Sequence, residues 1–209
     1  GSATLDIVVK SPDFHLTEMA SGGIALCERL GGKMDVDTLR MISGGGATNV
    51  AVGCARMGLR SAVVAEVGHD FPAQMIFAEL EREGVETKFI VTERMEETAV
   101  SVLLVAGNGG RTIMTHRGAA YELENRDLPW DSLTATRWIH LGGVGGEKPL
   151  LFDLFDYLQH KEIGLSWTPS PKDLAVFARG ELLVESIRAD VMLLNQEEWQ
   201  TCESIQDSL

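Results

Sequence analysis

At 209 residues the chain is long enough for one sizeable hydrophobic core and short for two full domains. Hydrophobic residues make up 44% and charged residues 23%, the balance of an ordinary soluble globular protein, which excludes a disordered chain. Eighteen Lys and Arg against 31 Asp and Glu give a formal charge of −13; such a surface repels phosphate backbones and anionic lipids, so neither nucleic acid nor membrane is an expected partner.

The three cysteines, Cys27, Cys54 and Cys202, are odd in number and far apart. They point to reduced thiols in a cytoplasmic protein rather than a disulfide framework. No apolar run of about 18 residues and no basic-then-apolar leader is present, so the reading is a soluble, intracellular, single-domain chain over 1–209.

In chain order, Leu5–Val9 is apolar enough for a strand, and 11–42 reads as short strands joined by turns at Gly22-Gly23 and Gly31-Gly32. Ala47, Val50, Ala51, Cys54 and Ala55 then share one helical face, with Gly58 placed to end the helix. Ser61–Val67 follows as a buried strand and Phe71–Glu83 as a helix, a βα alternation that predicts a parallel sheet. Thr98–Val105 and Thr112–His116, around Gly107–Gly110, carry the pattern of a β-hairpin. The alternation resumes with strand Trp138–Leu141, helix Leu150–His160, strand Ile163–Trp167, helix Glu181–Ile187, strand Val191–Leu194 and helix Gln196–Cys202. The expected fold class is α/β, a doubly wound, Rossmann-like, mostly parallel sheet flanked by helices and carrying a small β excursion. Ligands bind along the C-terminal edge of such a sheet, and a β flap over it would act as a lid.

The densest chemical signal is Ser43-Gly-Gly-Gly-Ala-Thr-Asn49, a Gly-rich loop running into a helix. Gly44 and Gly45 let backbone approach a ligand closely, the helix start offers N–H groups, and Asn49 both donates and accepts as sugar hydroxyls require. A turn chosen only for tight strand–helix packing gives the same pattern. Asp6 could accept two hydroxyl hydrogen bonds from a polyol, or serve as an ordinary edge or cap residue. Asn195 and Glu198, three apart at a strand-to-helix junction, could organise a hydrated Mg²⁺ near phosphates, or simply form a capping box. Arg117 ends the second hairpin run, where it could meet an anionic group or stay solvated. Gly142–Lys148 is not a phosphate-cradling Walker loop, because Glu147 and Pro149 stand where a glycine and a hydroxyl residue are needed. The five histidines show no metal spacing, and no nucleophile elbow occurs.

Taken in order, these pieces resemble the PfkB, or ribokinase-like, carbohydrate kinase family. Gly1–Asp6 is similar to the family's opening element, Gly44-Gly-Gly-Ala-Thr-Asn49 to its first signature, and Val67-Gly-His-Asp70 to its VGxD turn, although Ala73 stands where that turn's second glycine is expected. Gly110–Ile113 and Arg117–Ala119 look like the return strand of the lid, and Asn195-x-x-Glu198 like the NxxE element. The resemblance implies a β lid formed by about 10–43 and 88–117, often the homodimer contact, and ATP-dependent phosphorylation of a sugar or nucleoside hydroxyl. Asp6, Gly44, Gly45 and Asn49 would hold the substrate and Arg117 would reach it from the lid. Asn195 and Glu198 would organise Mg²⁺ and the ATP phosphates, with Glu198 acting on the metal indirectly. The family's DTxGAGD-type element, with its general-base aspartate, does not occur before Leu209 and is expected beyond it. The 209 residues then read as the N-terminal part of a kinase, inactive by themselves. The alternative is a non-catalytic sugar- or nucleoside-binding or assembly module of the same fold.

Overall fold

The computed structural model describes residues 1–93 and 95–206. Four strands come first: β1 (Thr4–Ser11), β2 (His15–Glu18), β3 (Ile24–Cys27) and β4 (Thr38–Gly44). Helix α1 (Gly46–Arg56), β5 (Ala65–Gly68), α2 (Phe71–Arg82) and β6 (Ile90–Glu93) follow, then the hairpin β7 (Ala99–Ala106) and β8 (Arg111–His116). A 3₁₀ turn at Gly118–Tyr121 and the short α3 (Trp130–Leu133) lead to β9 (Trp138–Leu141), α4 (Lys148–Gln159), β10 (Gly164–Trp167), α5 (Pro171–Ala178), β11 (Val191–Met192) and α6 (Gln196–Gln206).

The βα alternation builds parallel pairings, β5 with β6 and β9–β10–β11 in one sheet. All four residues of β5 are buried, as expected of a strand covered on both faces. Ala73, Ile76 and Leu80 of α2 pack on Ala65 and Val67 in one core. A second core gathers Leu150, Leu151, Leu154, Phe155 and Leu158 along one stripe of α4. There the fully buried Trp167 of β10 meets the Phe155 and Phe177 rings edge-on at 5.3 and 5.8 Å. Each such Leu or Phe contributes about 1.5–3 kcal/mol by leaving water.

The remaining strands form a mixed sheet in the order β4-β1-β7-β8, with β1 and β7 parallel and the outer pairs antiparallel. The strand at the start of the chain thus belongs to the hairpin's sheet and not to the parallel layer. That sheet draws on 4–11, 38–44 and 99–116, whereas β6 joins β5, so 88–98 lies outside it. The short strands expected in 11–42 are the β2–β3 hairpin.

Three expected elements change. No α-helix spans Glu181–Ile187; only a 3₁₀ turn at Val184–Ser186 lies there, and the helix is α5. Ser170 caps α5 by accepting from the Asp173 N–H, Asp173 returns the bond and Pro171 opens the first turn, a start stronger than any in 181–187. The strand expected from Ser61 begins at Ala65, with a lone bridge at Ala62, and β11 is two residues long. Val191, Met192 and Leu193 are exposed along that edge. No helix of the described residues is long and apolar enough to cross a membrane.

Candidate functional site

A cavity of about 270 Å³ opens on one face of the mixed sheet. Side chains alternate along β1, so Leu5 points into the core while Thr4 and Asp6 face the cavity. Register carries the polar row onward: Asp6 lies opposite Ser101 on β7, and Ser101 opposite Thr115 on β8. The Ser101 and Thr115 hydroxyls are 3.3 Å apart, and Thr4 Oγ1 donates to Asp6 Oδ1 at 3.3 Å. Partial burial raises the Asp6 carboxyl above its ordinary value, partly opposed by hydrogen bonds from Thr4 and Ser101. The result is one acceptor carboxylate beside a line of hydroxyls, a surface made for a polyol.

The Gly-rich loop closes against this row. A side chain at Gly44 would collide with the Asp6 carboxylate, and one at Gly45 would stand 2.5 Å from the Ser2 carbonyl. Gly45 also has φ +97°, which L side chains rarely adopt. Gly44 thus leaves room for the Asp6 carboxylate, and Gly45 is required by the close approach of the Ser2 backbone. At the start of α1 the Gly46 and Ala47 N–H groups donate to Ser2, at 3.1 Å each, so those two donors, expected to be open to a ligand, are occupied. The buried Thr48 hydroxyl donates to the Gly44 carbonyl, fixing the loop from the helix side.

Of the sequence-predicted residues, Asp6, Gly45 and Arg117 line the cavity and Gly44 abuts Asp6. Asn49 sits one turn into α1, exposed and outside the cavity lining. Asn195 and Glu198 hold each other: the Asn195 N–H donates to Glu198 Oε2 at 2.8 Å and the Glu198 N–H to Asn195 Oδ1 at 2.9 Å. That is the capping box at the start of α6.

Sequence reasoning missed Ser101, Thr115 and Tyr121. Aligning the hairpin about its Gly107–Gly110 turn would have paired the first two; for Tyr121 the sequence carries no signal. Arg117 Nη1 donates to Tyr121 Oη at 2.7 Å and its guanidinium lies over the ring, 5.0 Å from the centroid. Behind Tyr121 runs the 142–146 loop, held by the fully buried Asp173, which accepts from the Gly146 and Ser170 N–H groups at 2.7 Å and from Val144 at 3.2 Å.

Asp70 connects the parallel layer to the mixed sheet. It caps α2 through the Ala73 N–H at 3.0 Å and accepts from the Thr98 N–H at 2.7 Å and hydroxyl at 2.6 Å, just before β7. Burial pushes its carboxyl up, but the Thr98 and Ala73 bonds prevail and hold it below the usual range.

Fold and cavity define an α/β protein with a polyol-sized site on a mixed sheet. The chain belongs to the pfkB family of carbohydrate kinases, whose model matches residues 23–208. It is 28% identical over 169 residues to a fructokinase of Escherichia coli, covering 75% of this chain and 54% of that protein. A nucleoside kinase of Methanothermobacter thermautotrophicus is 24% identical over 163 residues, covering 78% and 52%. Among solved structures, a fructokinase from Xylella fastidiosa with bound ATP superposes with a TM-score of 0.70 at 19% identity, over 99% of this chain and 63% of that one. A ribokinase from Giardia lamblia gives 0.71 at 18%, over 95% and 56%. The chain spans about half the length of these curated relatives. The ribokinase-like α/β fold expected from the sequence is therefore the fold observed.

Proposed function

We propose that this chain carries the substrate half of a kinase that phosphorylates a sugar or nucleoside hydroxyl with ATP. The observation that carries the reading is Asp6, set in a cavity with Ser101 and Thr115 in register beside it. Family membership supports the activity, and relatives named fructokinase and nucleoside kinase support the substrate range. Asp6, when ionised, accepts two hydroxyl hydrogen bonds and so fixes which hydroxyl faces the phosphoryl donor; Gly44 leaves room for its carboxylate, and Gly45 and Arg117 line the same cavity. Rate acceleration of this kind comes chiefly from positioning and charge neutralisation.

Asp6 is the cavity's lining carboxylate and is committed to holding hydroxyls, so the described residues are assigned to sugar binding and the general base is not assigned to Asp6. Mg²⁺ fits the described residues poorly: no three acidic, His or Cys side chains among them cluster to hold a metal ion, and Glu198 is engaged by Asn195. When bound, ATP would supply the phosphoryl group and Mg²⁺ would neutralise its charge. Leu39, Met41 and Met114, exposed on the face of the mixed sheet away from the cavity, support a homodimer formed through this sheet. A cytoplasmic location goes with the reading.

Calorimetric titration with D-fructose, D-ribose and adenosine tests it. Binding of at least one of them, lost in Asp6→Ala, is expected; binding unaffected by that change would overturn the site.

A further inference from the structure

The Gly-rich run 142–146, which is no phosphate-cradling loop, has an occupant supplied by the protein itself. Asp173 is fully buried, and its carboxylate meets four donors. Oδ1 accepts from the Gly146 N–H at 2.7 Å. Oδ2 accepts from the Ser170 N–H at 2.7 Å, the Ser170 hydroxyl at 2.8 Å and the Val144 N–H at 3.2 Å. No ion pair among the described residues includes it. Successive backbone N–H groups in a turn are a common seat for a bound anion; here the anion is a side chain.

Capping a helix does not by itself call for this arrangement. Ser170 and Asp173 complete the capping box of α5 between themselves, and such a box needs no burial. Asp173 instead reaches across to a glycine 27 residues away in sequence. A buried carboxylate is strongly destabilising unless its acceptor sites are filled, so the loop and the carboxylate hold each other in place. The loop in turn has no slack. A side chain at Gly143 would stand 2.7 Å from the Ser170 Cβ, and one at Gly146 would stand 2.9 Å from the Lys172 carbonyl, so one side rests on the start of α5. On the other side, a side chain at Gly145 would stand 3.0 Å from the Tyr121 ring. Tyr121 lines the cavity, and its hydroxyl accepts from Arg117 Nη1 at 2.7 Å. The ring is thus held between the guanidinium and the loop, and the loop is held by Asp173.

We infer that Asp173 is a positioning residue of the sugar site: its carboxylate sets the 142–146 loop, and the loop sets the Tyr121 ring as a wall of the cavity. The inference rests on the sugar-site reading and adds to it a residue outside the cavity lining. A wall fixed before the ligand arrives lowers the ordering cost of binding.

The test labels the two tyrosines, Tyr121 and Tyr157, with 3-fluorotyrosine. It combines fluorine NMR with calorimetric titration of D-fructose, D-ribose and adenosine. In Asp173→Asn one carboxylate oxygen becomes an amide that cannot accept. The Tyr121 resonance, assigned by its loss in Tyr121→Ala, should shift, and that of Tyr157 should stay. The tightest-binding of the three ligands should lose about tenfold in affinity. In a Tyr121→Ala background the same change should cause no further loss, a coupling that general destabilisation does not produce. Ser170→Ala removes one donor to Asp173 and keeps the loop's own bonds. It should repeat both effects at smaller size, so the test does not depend on the Asn variant folding. Leu158→Ala, in the core stripe of α4, should lower stability and leave affinity unchanged. A Tyr121 resonance unmoved by Asp173→Asn, or an affinity loss of equal size with and without the Tyr121 ring, overturns this inference and leaves the sugar site standing. A Tyr121 resonance that shifts while the wild-type chain binds none of the three ligands overturns the sugar-site reading, and leaves only the loop's hold on the ring.

Discussion

The Asp6 cavity and the Asn195–Glu198 helix start are the two places where sequence motif and proposed chemistry coincide, and they are held together differently. At Asn195 both bonds close within three residues, so the motif is satisfied by its own helix. Around Asp6 only the Thr4 bond is local; the rest of the site comes from other elements: Ser101 on β7, Gly44 at the end of β4, and, lining the same cavity, Gly45 before α1 and Arg117 past β8. A one-residue slip of β1 would turn Asp6 into the core and bring Leu5 out. A motif that completes itself locally says little about a ligand, whereas one whose parts need the whole sheet to meet specifies a site.

The largest effect expected from breaking the Asp6 side is that of Gly45→Ala. It combines φ +97° with a Cβ 2.5 Å from the Ser2 carbonyl, so urea denaturation should show a loss of about 3 kcal/mol or more. Asp6→Asn should instead spare the fold and lower sugar affinity about 30- to 100-fold. Its pH dependence has a definite sign. Because the folded-state Asp6 carboxyl is raised by burial, its contribution to stability is present at low pH and lost as pH rises through the raised value. Ionisation, which weakens the fold there, is what polyol binding needs. Wild-type affinity should therefore climb with pH above the ordinary carboxylate range, and the Asn variant should be flat.

Asp70→Ala tests the link between the layers. Losing a helix cap and two bonds to Thr98 should cost about 2 kcal/mol. With its carboxyl held low, the wild-type advantage should be present at neutral pH and disappear as pH falls through that lowered value. The smallest effect belongs to Asn195→Ala, about 1 kcal/mol for one cap, with sugar affinity unchanged. A large change in ATP binding for the family's full-length arrangement would show that this cap also reads phosphate, and would narrow the contrast between the two ends.

Much of the fold was legible because the signals were periodic. The stripe on α4, the buried run of β5 and the hairpin turn at 107–110 all specify their elements locally. The helix at 171–178 escaped notice because its strongest sign is a capping box, Ser170 with Asp173, rather than a stripe. The sheet membership of β1 was not readable either, since an apolar strand carries no label for its partner. In the site, the glycines stood out as a Gly-rich loop and Asp6 was named through the resemblance to the carbohydrate kinases, but the reason for Gly44, the room it leaves for the Asp6 carboxylate, is a tertiary contact. Tyr121 joins the cavity beside Arg117 through a side-chain hydrogen bond that no spacing announces. Asn49 fits the motif and lies outside the cavity lining because α1 presents it to solvent.

The most direct measurement is a crystal structure of the chain soaked with the tightest-binding sugar of the calorimetric panel. The account predicts two sugar hydroxyls within hydrogen-bond reach of the Asp6 carboxylate, with Ser101 and Thr115 along the sugar's flank. A sugar bound elsewhere, with the Asp6 carboxylate making no contact to it, would contradict the account.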